Sequence, residues 1–279
     1  MDLDLRTNAF RADLADEMLR GKVEAGRFVP GSLHEIAEPL APMRAEPRFD
    51  SRRTTELLYG ERVKVFETSE GWAWVKAATD GYVGYIPASS LSGEISSPTH
   101  RIAVPTTFMY PAPDIKSAPE VALFLNARIE VIETGERFVR LRNGRFVIAA
   151  HVKSIAAHDD DFVAVAEMFL DAPYLWGGKT AAGLDCSGLL QTALHAAGRA
   201  CPRDTDMQER ELGIALNDRG AVMRGDLLFW RSHVGIMVDA VSLLHANGHH
   251  MQVVVEPADT AIARIARSGT ELTSVRRLQ

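Results

Sequence analysis

Between residues 30 and 157 the chain is written in short alternating runs broken by Gly, Pro, Asn and Asp, and two stretches of it follow one plan. The first spans 56–66, then Gly71-Trp72-Ala73-Trp74-Val75, then Asp80-Gly81-Tyr82-Val83-Gly84-Tyr85-Ile86-Pro87. The second spans 121–132, then 137–141, then Asn143-Gly144-Arg145-Phe146-Val147. In each, a strand, a turn and a strand precede an aromatic strand and a Gly-centred hairpin. Strands this short and this closely spaced predict two small all-β barrels or sandwiches.

The flanking segments have a different texture. Residues 1–29 hold a mildly helical pattern over 12–19, closed by Gly21. From 158 onward the pattern becomes α plus β. Apolar residues at 162, 163, 165, 166, 169 and 170 form one helical face, and Leu189, Ala193, Leu194 and Ala197 form another, with Gly198 placed to end it. Short strands are expected over 226–230, 234–238, 241–246 and 252–256. The expected organisation is an N-terminal helical segment (1–29), two β domains (30–96 and 97–157) and an α+β domain (158–279).

The α+β part holds a nucleophile candidate. Thiols attack carbonyls as thiolates, so a catalytic cysteine needs its acidity raised, and a helix N-terminus supplies partial positive charge and N–H groups. Gly183-Leu184-Asp185-Cys186-Ser187-Gly188 immediately precedes the Leu189–Ala197 pattern, so Cys186 enters a first helical turn. The same geometry aims a backbone N–H at a developing oxyanion. His233 opens one predicted strand and His245 lies in the next. A hairpin turning at about Asp239 pairs residues whose numbers sum to about 478. His233 and His245 then stand side by side on one face, with Cβ atoms roughly 5 Å apart. One can act as base while the other orients it.

Each of these residues has a plainer reading. A cysteine before a helix is often structural, and a histidine at a strand end is often surface. The cluster His245, His249, His250 with either cysteine matches no closed zinc pattern, so no metal or other cofactor is expected.

Three blocks taken together narrow the choice: Tyr174-Leu175-Trp176-Gly177-Gly178, then Gly183 to Gly188, then His233-Val234-Gly235-Ile236. Over about 160–279 they resemble the NlpC family of papain-like cell-wall peptidases. The first β domain is similar to bacterial SH3-like domains through its Gly-Trp and Gly-Tyr-x-Gly-Tyr-Ile-Pro landmarks, and the second is a degenerate copy. The whole layout resembles the γ-D-glutamyl-L-diamino acid endopeptidases of murein peptide recycling. The resemblance implies an α+β papain-like catalytic domain preceded by two SH3-like barrels, with Cys186 as nucleophile, His233 as base and acid, His245 as orienting residue and Tyr174 as oxyanion donor. It further implies that Trp176, Asp185 and Ser187 line the substrate groove, and that Asp204 and Thr205 lie in a loop near the free amine of the substrate. Tyr82 (with Tyr85 as its rival) and Glu46 (with Glu56) are expected to complete the amine pocket. The substrate so implied is a murein peptide of the type L-Ala-γ-D-Glu-diamino acid. The alternatives are another papain-like amidase or acyltransferase, and a non-catalytic cell-wall peptide-binding protein. A capping box from Thr205 to Gln208 is a second reading of that loop.

Charge and composition bound the partners. The 37 acids against 31 bases leave a net charge of −6 with no basic block, which argues against nucleic acid as partner. No apolar window is long enough to span a membrane. No basic, apolar-cored leader opens the chain and only two cysteines occur, so a reduced, cytoplasmic protein is expected. The sequence is silent on oligomeric state.

Overall fold

The computed structural model describes residues 3–216 and 222–279. The chain divides into two compact units, 1–156 and 157–279.

In the first unit, strands Ser32–Ile36, Leu40–Arg44, Arg53–Leu58, Arg62–Ser69, Trp72–Ala77, Val83–Pro87 and Leu91–Ser92 form one seven-stranded antiparallel sheet. Alternation drives it: Ile36, Met43, Val63, Val75 and Ile86 point inward into one cluster of buried side chains. A second cluster, built on Ile102, Leu123, Ile129, Val139, Leu141 and Val147, holds together the small antiparallel sheets between 100 and 154. Each copy of the repeated plan therefore has its own apolar core.

The N-terminal segment departs from expectation. Instead of a helix over 12–19, Leu14–Asp16 is a strand paired in parallel with Arg27–Val29, and only Glu17–Leu19 forms a single 3₁₀ turn. Leu14 and Ala9 bury themselves against Phe66 and Trp74, while Met18 is exposed. Burial on the barrel outweighs a weak local helical preference.

The second unit packs helices on a sheet. Helix α1 is Phe162–Glu167, α2 Cys186–Ala196, α3 Thr205–Glu211 and α4 Ala258–Arg267. Asp161 caps α1 by accepting from the Val163 and Ala164 N–H groups. Gly198, at φ +71°, follows the end of α2 as predicted. The six-stranded antiparallel sheet runs in the order Ile214–Ala215, Leu272–Arg277, Leu227–Trp230, His233–Met237, Ser242–Asn247, Gln252–Pro257. The four strands predicted here fall within a residue or two of those observed. Among the described residues no helix is long and apolar enough to cross a membrane.

Candidate active site

Asp185 fixes where the nucleophile helix starts. Its Oδ1 accepts from the Gly188 N–H at 2.7 Å, and its Oδ2 accepts from the Gly177 N–H at 2.8 Å. One carboxylate thus caps α2 and ties it to the Gly177-Gly178 turn. Cys186 is the first residue of α2, where helix geometry leaves its N–H with no intrahelical acceptor. The turn and the helix approach so closely that a Cβ on Gly188 would lie 2.1 Å from the Gly178 carbonyl oxygen. Glycine at 188 is therefore a steric requirement. Arg203, 1% exposed, closes this scaffold: its guanidinium forks onto both Asp185 oxygens at 3.0 and 2.7 Å and donates to Ser187 Oγ at 2.7 Å.

The base comes from the sheet. Trp230 and His233 pair across a two-residue turn, in which Ser232 takes φ +65°, an unusual conformation for a non-glycine residue at the mouth of a site. The next residue, Val234, directs its N–H at the Cys186 sulfur, as does Ser187. His233 Nε2 lies 2.9 Å from His245 Nδ1, leaving Nδ1 of His233 as the nitrogen available to the thiol. The hairpin register is shifted from the expected one. Ile236 pairs with Leu244 and Met237 with Leu243, so pair numbers sum to 480, and His233 and His245 stand diagonally rather than directly opposite. The cause is the turn, where Asp239 Oδ1 accepts from the Val241 and Ser242 N–H groups and centres the hairpin one residue later. A shift of two in the sum of partners keeps both histidines on one face, so the contact survives.

Beyond His245 stands a group the sequence reading missed. His245 Nε2 lies 2.8 Å from Glu256 Oε1, and both oxygens of Glu256 accept from Arg264 at 2.6 Å. Arg203 also went unrecognised as a structural partner, although the segment containing it was singled out.

Electrostatics oppose free ionisation at the centre. Burial, followed by the charge of Asp185, pushes the Cys186 thiol up to about 12, against the pull of the Val234 and Ser187 N–H groups. This differs from the raised acidity expected at a helix N-terminus, because the sulfur is buried and shares its turn with a carboxylate. Burial also brings His233 down to about 3 and lowers His245. On these shifts the resting groups are a neutral thiol and a neutral imidazole. Tyr174 is half-buried and is pushed up by burial and then by Cys186, so its hydroxyl stays protonated and able to donate.

The burial of neutral histidine has a consequence for stability. Between pH 6.5 and 3 the unfolded chain binds a proton at position 233 that the folded chain refuses. Stability therefore falls as pH drops below 6.5, by up to about 1.4 kcal/mol per pH unit. The urea midpoint of the catalytic unit is expected to be lower at pH 5 than at pH 7, and His233→Gln should flatten that dependence.

The remaining predicted residues are placed as follows. Trp176 is half exposed beside Tyr174. Asp185 and Ser187 are both buried, with their polar atoms engaged by the Arg203 scaffold. Asp204 is the N-cap residue of α3 and Thr205 its buried first residue. The Thr205–Gln208 capping box does not form: the N-cap position falls on Asp204, Thr205 is already inside the helix, and Gln208 Nε2 donates to the carbonyls of Ser187 and Pro202. In the first unit, Tyr82 is buried in the core cluster of the first barrel, whereas Tyr85 is half-buried and accepts from Arg11 at 3.0 Å. Glu46 is exposed and ion-paired with Arg48; Glu56 is buried and paired with Arg53. Neither Cys186 nor Cys201 is in a disulfide. Among the described residues no three histidine, cysteine or acidic side chains are grouped to hold a metal ion.

Known proteins resemble this chain in sequence and fold. Residues 43–91 match the family model described as the bacterial dipeptidyl-peptidase Sh3 domain, and residues 171–266 match the NlpC/P60 family. The gamma-D-glutamyl-L-lysine dipeptidyl-peptidase of Bacillus subtilis (strain 168) is 30% identical over 226 residues, covering 69% of this chain and 71% of the relative. Dipeptidyl-peptidase 6 of Lysinibacillus sphaericus is 27% identical over 248 residues, covering 79% and 89%. The crystal structure of an NlpC/P60 family protein from Bacillus cereus ATCC 10987 superimposes with a TM-score of 0.75 at 21% identity, over 88% of this chain and 99% of that one. With its SH3 match over 43–91, its NlpC/P60 match over 171–266 and a 30% identical relative across more than two thirds of both chains, the chain belongs to the NlpC/P60 family of cysteine peptidases.

Proposed function

We propose that this hydrolase acts on peptidoglycan-derived peptides and cleaves the bond between γ-D-glutamate and a diamino acid in peptides that begin with a free L-Ala. The observations that support the chemistry are Cys186 at the start of α2, the N–H of Val234, next to His233, directed at its sulfur, and His245 within 2.9 Å of His233. The substrate class is supported by the relatives, two of which are named gamma-D-glutamyl-L-lysine dipeptidyl-peptidases.

In this reading Cys186 Sγ attacks the γ-carbonyl of D-Glu while its proton passes to His233 Nδ1. The oxyanion is met by the Cys186 N–H and the Tyr174 hydroxyl. His233 then returns the proton to the departing amine of the diamino acid, leaving a thioester that water, deprotonated by the same histidine, hydrolyses. Trp176, Ser187, Asp204 and Thr205 are the binding residues proposed for this unit, with Asp185 acting through the helix cap it forms.

Incubation with L-Ala-γ-D-Glu-L-Lys and with its meso-diaminopimelate counterpart, followed by mass spectrometry, tests the reading. Release of L-Ala-D-Glu from either peptide is expected, and N-acetylation of the L-Ala should slow it. Cleavage at any other bond, or indifference to the acetyl group, would refute the assignment. Because burial keeps the thiol neutral, alkylation of Cys186 by iodoacetamide in the free enzyme should accelerate steadily between pH 7 and pH 10. A plateau already reached by pH 7 would contradict the neutral resting pair.

A further inference from the structure

A base is useful only if its bare nitrogen faces the proton it must take. His233 has Nε2 engaged by His245, which leaves Nδ1 for the thiol, so it is a base in one neutral tautomer and the wrong donor in the other. Nothing on the Cys186 side selects between them, because a neutral thiol can donate or accept. The selection has to come from the far end of the chain of contacts.

That end is Glu256. We propose that Glu256, clamped by Arg264, is a positioning residue that sets the tautomers of both histidines and so makes His233 a base toward Cys186. The argument follows hydrogen-bond polarity. A carboxylate only accepts, and the Arg264 fork, at 2.6 Å to each oxygen, keeps Glu256 a carboxylate. His245 must therefore carry its proton on Nε2, 2.8 Å from Glu256, and present a bare Nδ1. A bare Nδ1 can only accept, so His233 must carry its proton on Nε2. Its Nδ1 is then bare. The opposite polarity would set an imidazole lone pair against a carboxylate and point an N–H at the thiol.

The fold gives this line of contacts a rigid frame. His233, His245 and Glu256 lie on three adjacent antiparallel strands of one sheet, and Arg264 lies on α4, which follows the last of them. Leu243 pairs with Glu256 and His245 with Val254, so Glu256 shares a face with His245 two residues along. His245 is 1% exposed, and the buried Trp230 ring lies 5.5 Å from that of the partly buried His233, so little water competes for the contacts of His245. The ionisable neighbours are Cys186, Asp185, Arg203 and Tyr174 near the nucleophile, and His250, whose Nδ1 lies 3.9 Å from Glu256, at the other end.

When the thiol proton arrives at His233 Nδ1, the Glu256 charge favours the cation through His245. The same residue therefore sets the base and stabilises its conjugate acid. This holds whichever peptide is cleaved, and the test needs no peptide. ¹⁵N NMR of the histidine side chains in the full wild-type chain at neutral pH should show both His233 and His245 protonated on Nε2 and bare on Nδ1. Glu256→Gln can either accept or donate, so it should give a tautomer mixture. Its Cys186 alkylation by iodoacetamide at pH 7 should slow about tenfold, the equivalent of one pKa unit in the base. Glu256→Asp, which keeps the charge, should recover part of that rate. A wild-type His233 protonated on Nδ1, or an unchanged alkylation pH profile in Glu256→Gln, would overturn the proposal. Should Glu256→Gln fail to fold, the wild-type tautomers decide it alone.

Discussion

Replacing Cys186 by alanine should lower peptide hydrolysis by roughly 10⁵-fold or more, to the residual level left when a covalent nucleophile is removed. No second thiol can stand in. Cys201 is 3% exposed in the interior, where its sulfur faces the Pro202 carbonyl and the Gln208 amide. Cys186→Ser should fare little better, because a hydroxyl is harder to deprotonate and His233 is held a weak base by burial. The measurement is single-turnover product formation by mass spectrometry. Binding of the intact peptide by calorimetry, within a few-fold of wild type, should accompany the loss. That combination separates an enzyme from a peptide-binding module, for which the alanine variant would change nothing. An alanine variant with full turnover would remove Cys186 from the mechanism.

How far the sequence anticipated this site depended on which forces place each residue. Cys186 was legible because helix start signals are local: Asp185 as cap and the apolar spacing from Leu189 to Ala197 mark the turn. The His233–His245 contact was legible because strand pairing has period two, and an error in register that preserved parity left the contact standing. Glu256 was not legible, since it reads as one acid in an alternating strand and matters only through a second hairpin register and a helix beyond it. A signal was present in the chain: His245 and Glu256 straddle the turn at Gly248–Met251, and Arg264 follows eight residues after Glu256. Arg203 was hidden for a related reason, because a buried arginine is legible only by way of the carboxylate it meets. The false helix over 12–19 shows the converse case, where a local pattern was read correctly but the barrel surface offered Leu14 a better burial.

Replacing Arg203 by alanine should be the most damaging single change to the stability of the catalytic unit, costing roughly 3–5 kcal/mol. The side chain is 1% exposed and donates to Asp185 and Ser187, and its loss strands a buried carboxylate that caps α2 and holds the Gly177-Gly178 turn. Removing one partner of a buried pair is worse than removing both, because the remaining charge keeps its desolvation cost and has nothing to offset it. Urea denaturation followed by the fluorescence of Trp176 and Trp230 should therefore show Arg203→Ala well below Arg203→Met/Asp185→Asn, in which the amide oxygen can still accept from the Gly188 N–H, the bond from Gly177 is lost, and no charge is left buried. Arg203→Lys should rescue only a fraction, since an ammonium cannot fork onto two carboxylate oxygens and reach Ser187 Oγ together. At temperatures where the single variant still folds, its kcat should fall more than its KM rises, because the residue it releases sets where the Cys186 N–H and sulfur point. An Arg203→Ala variant as stable as wild type would show that the Asp185 carboxylate keeps its place without the guanidinium, and the two amide bonds from Gly177 and Gly188 would then be what fixes the start of α2 and the position of the nucleophile.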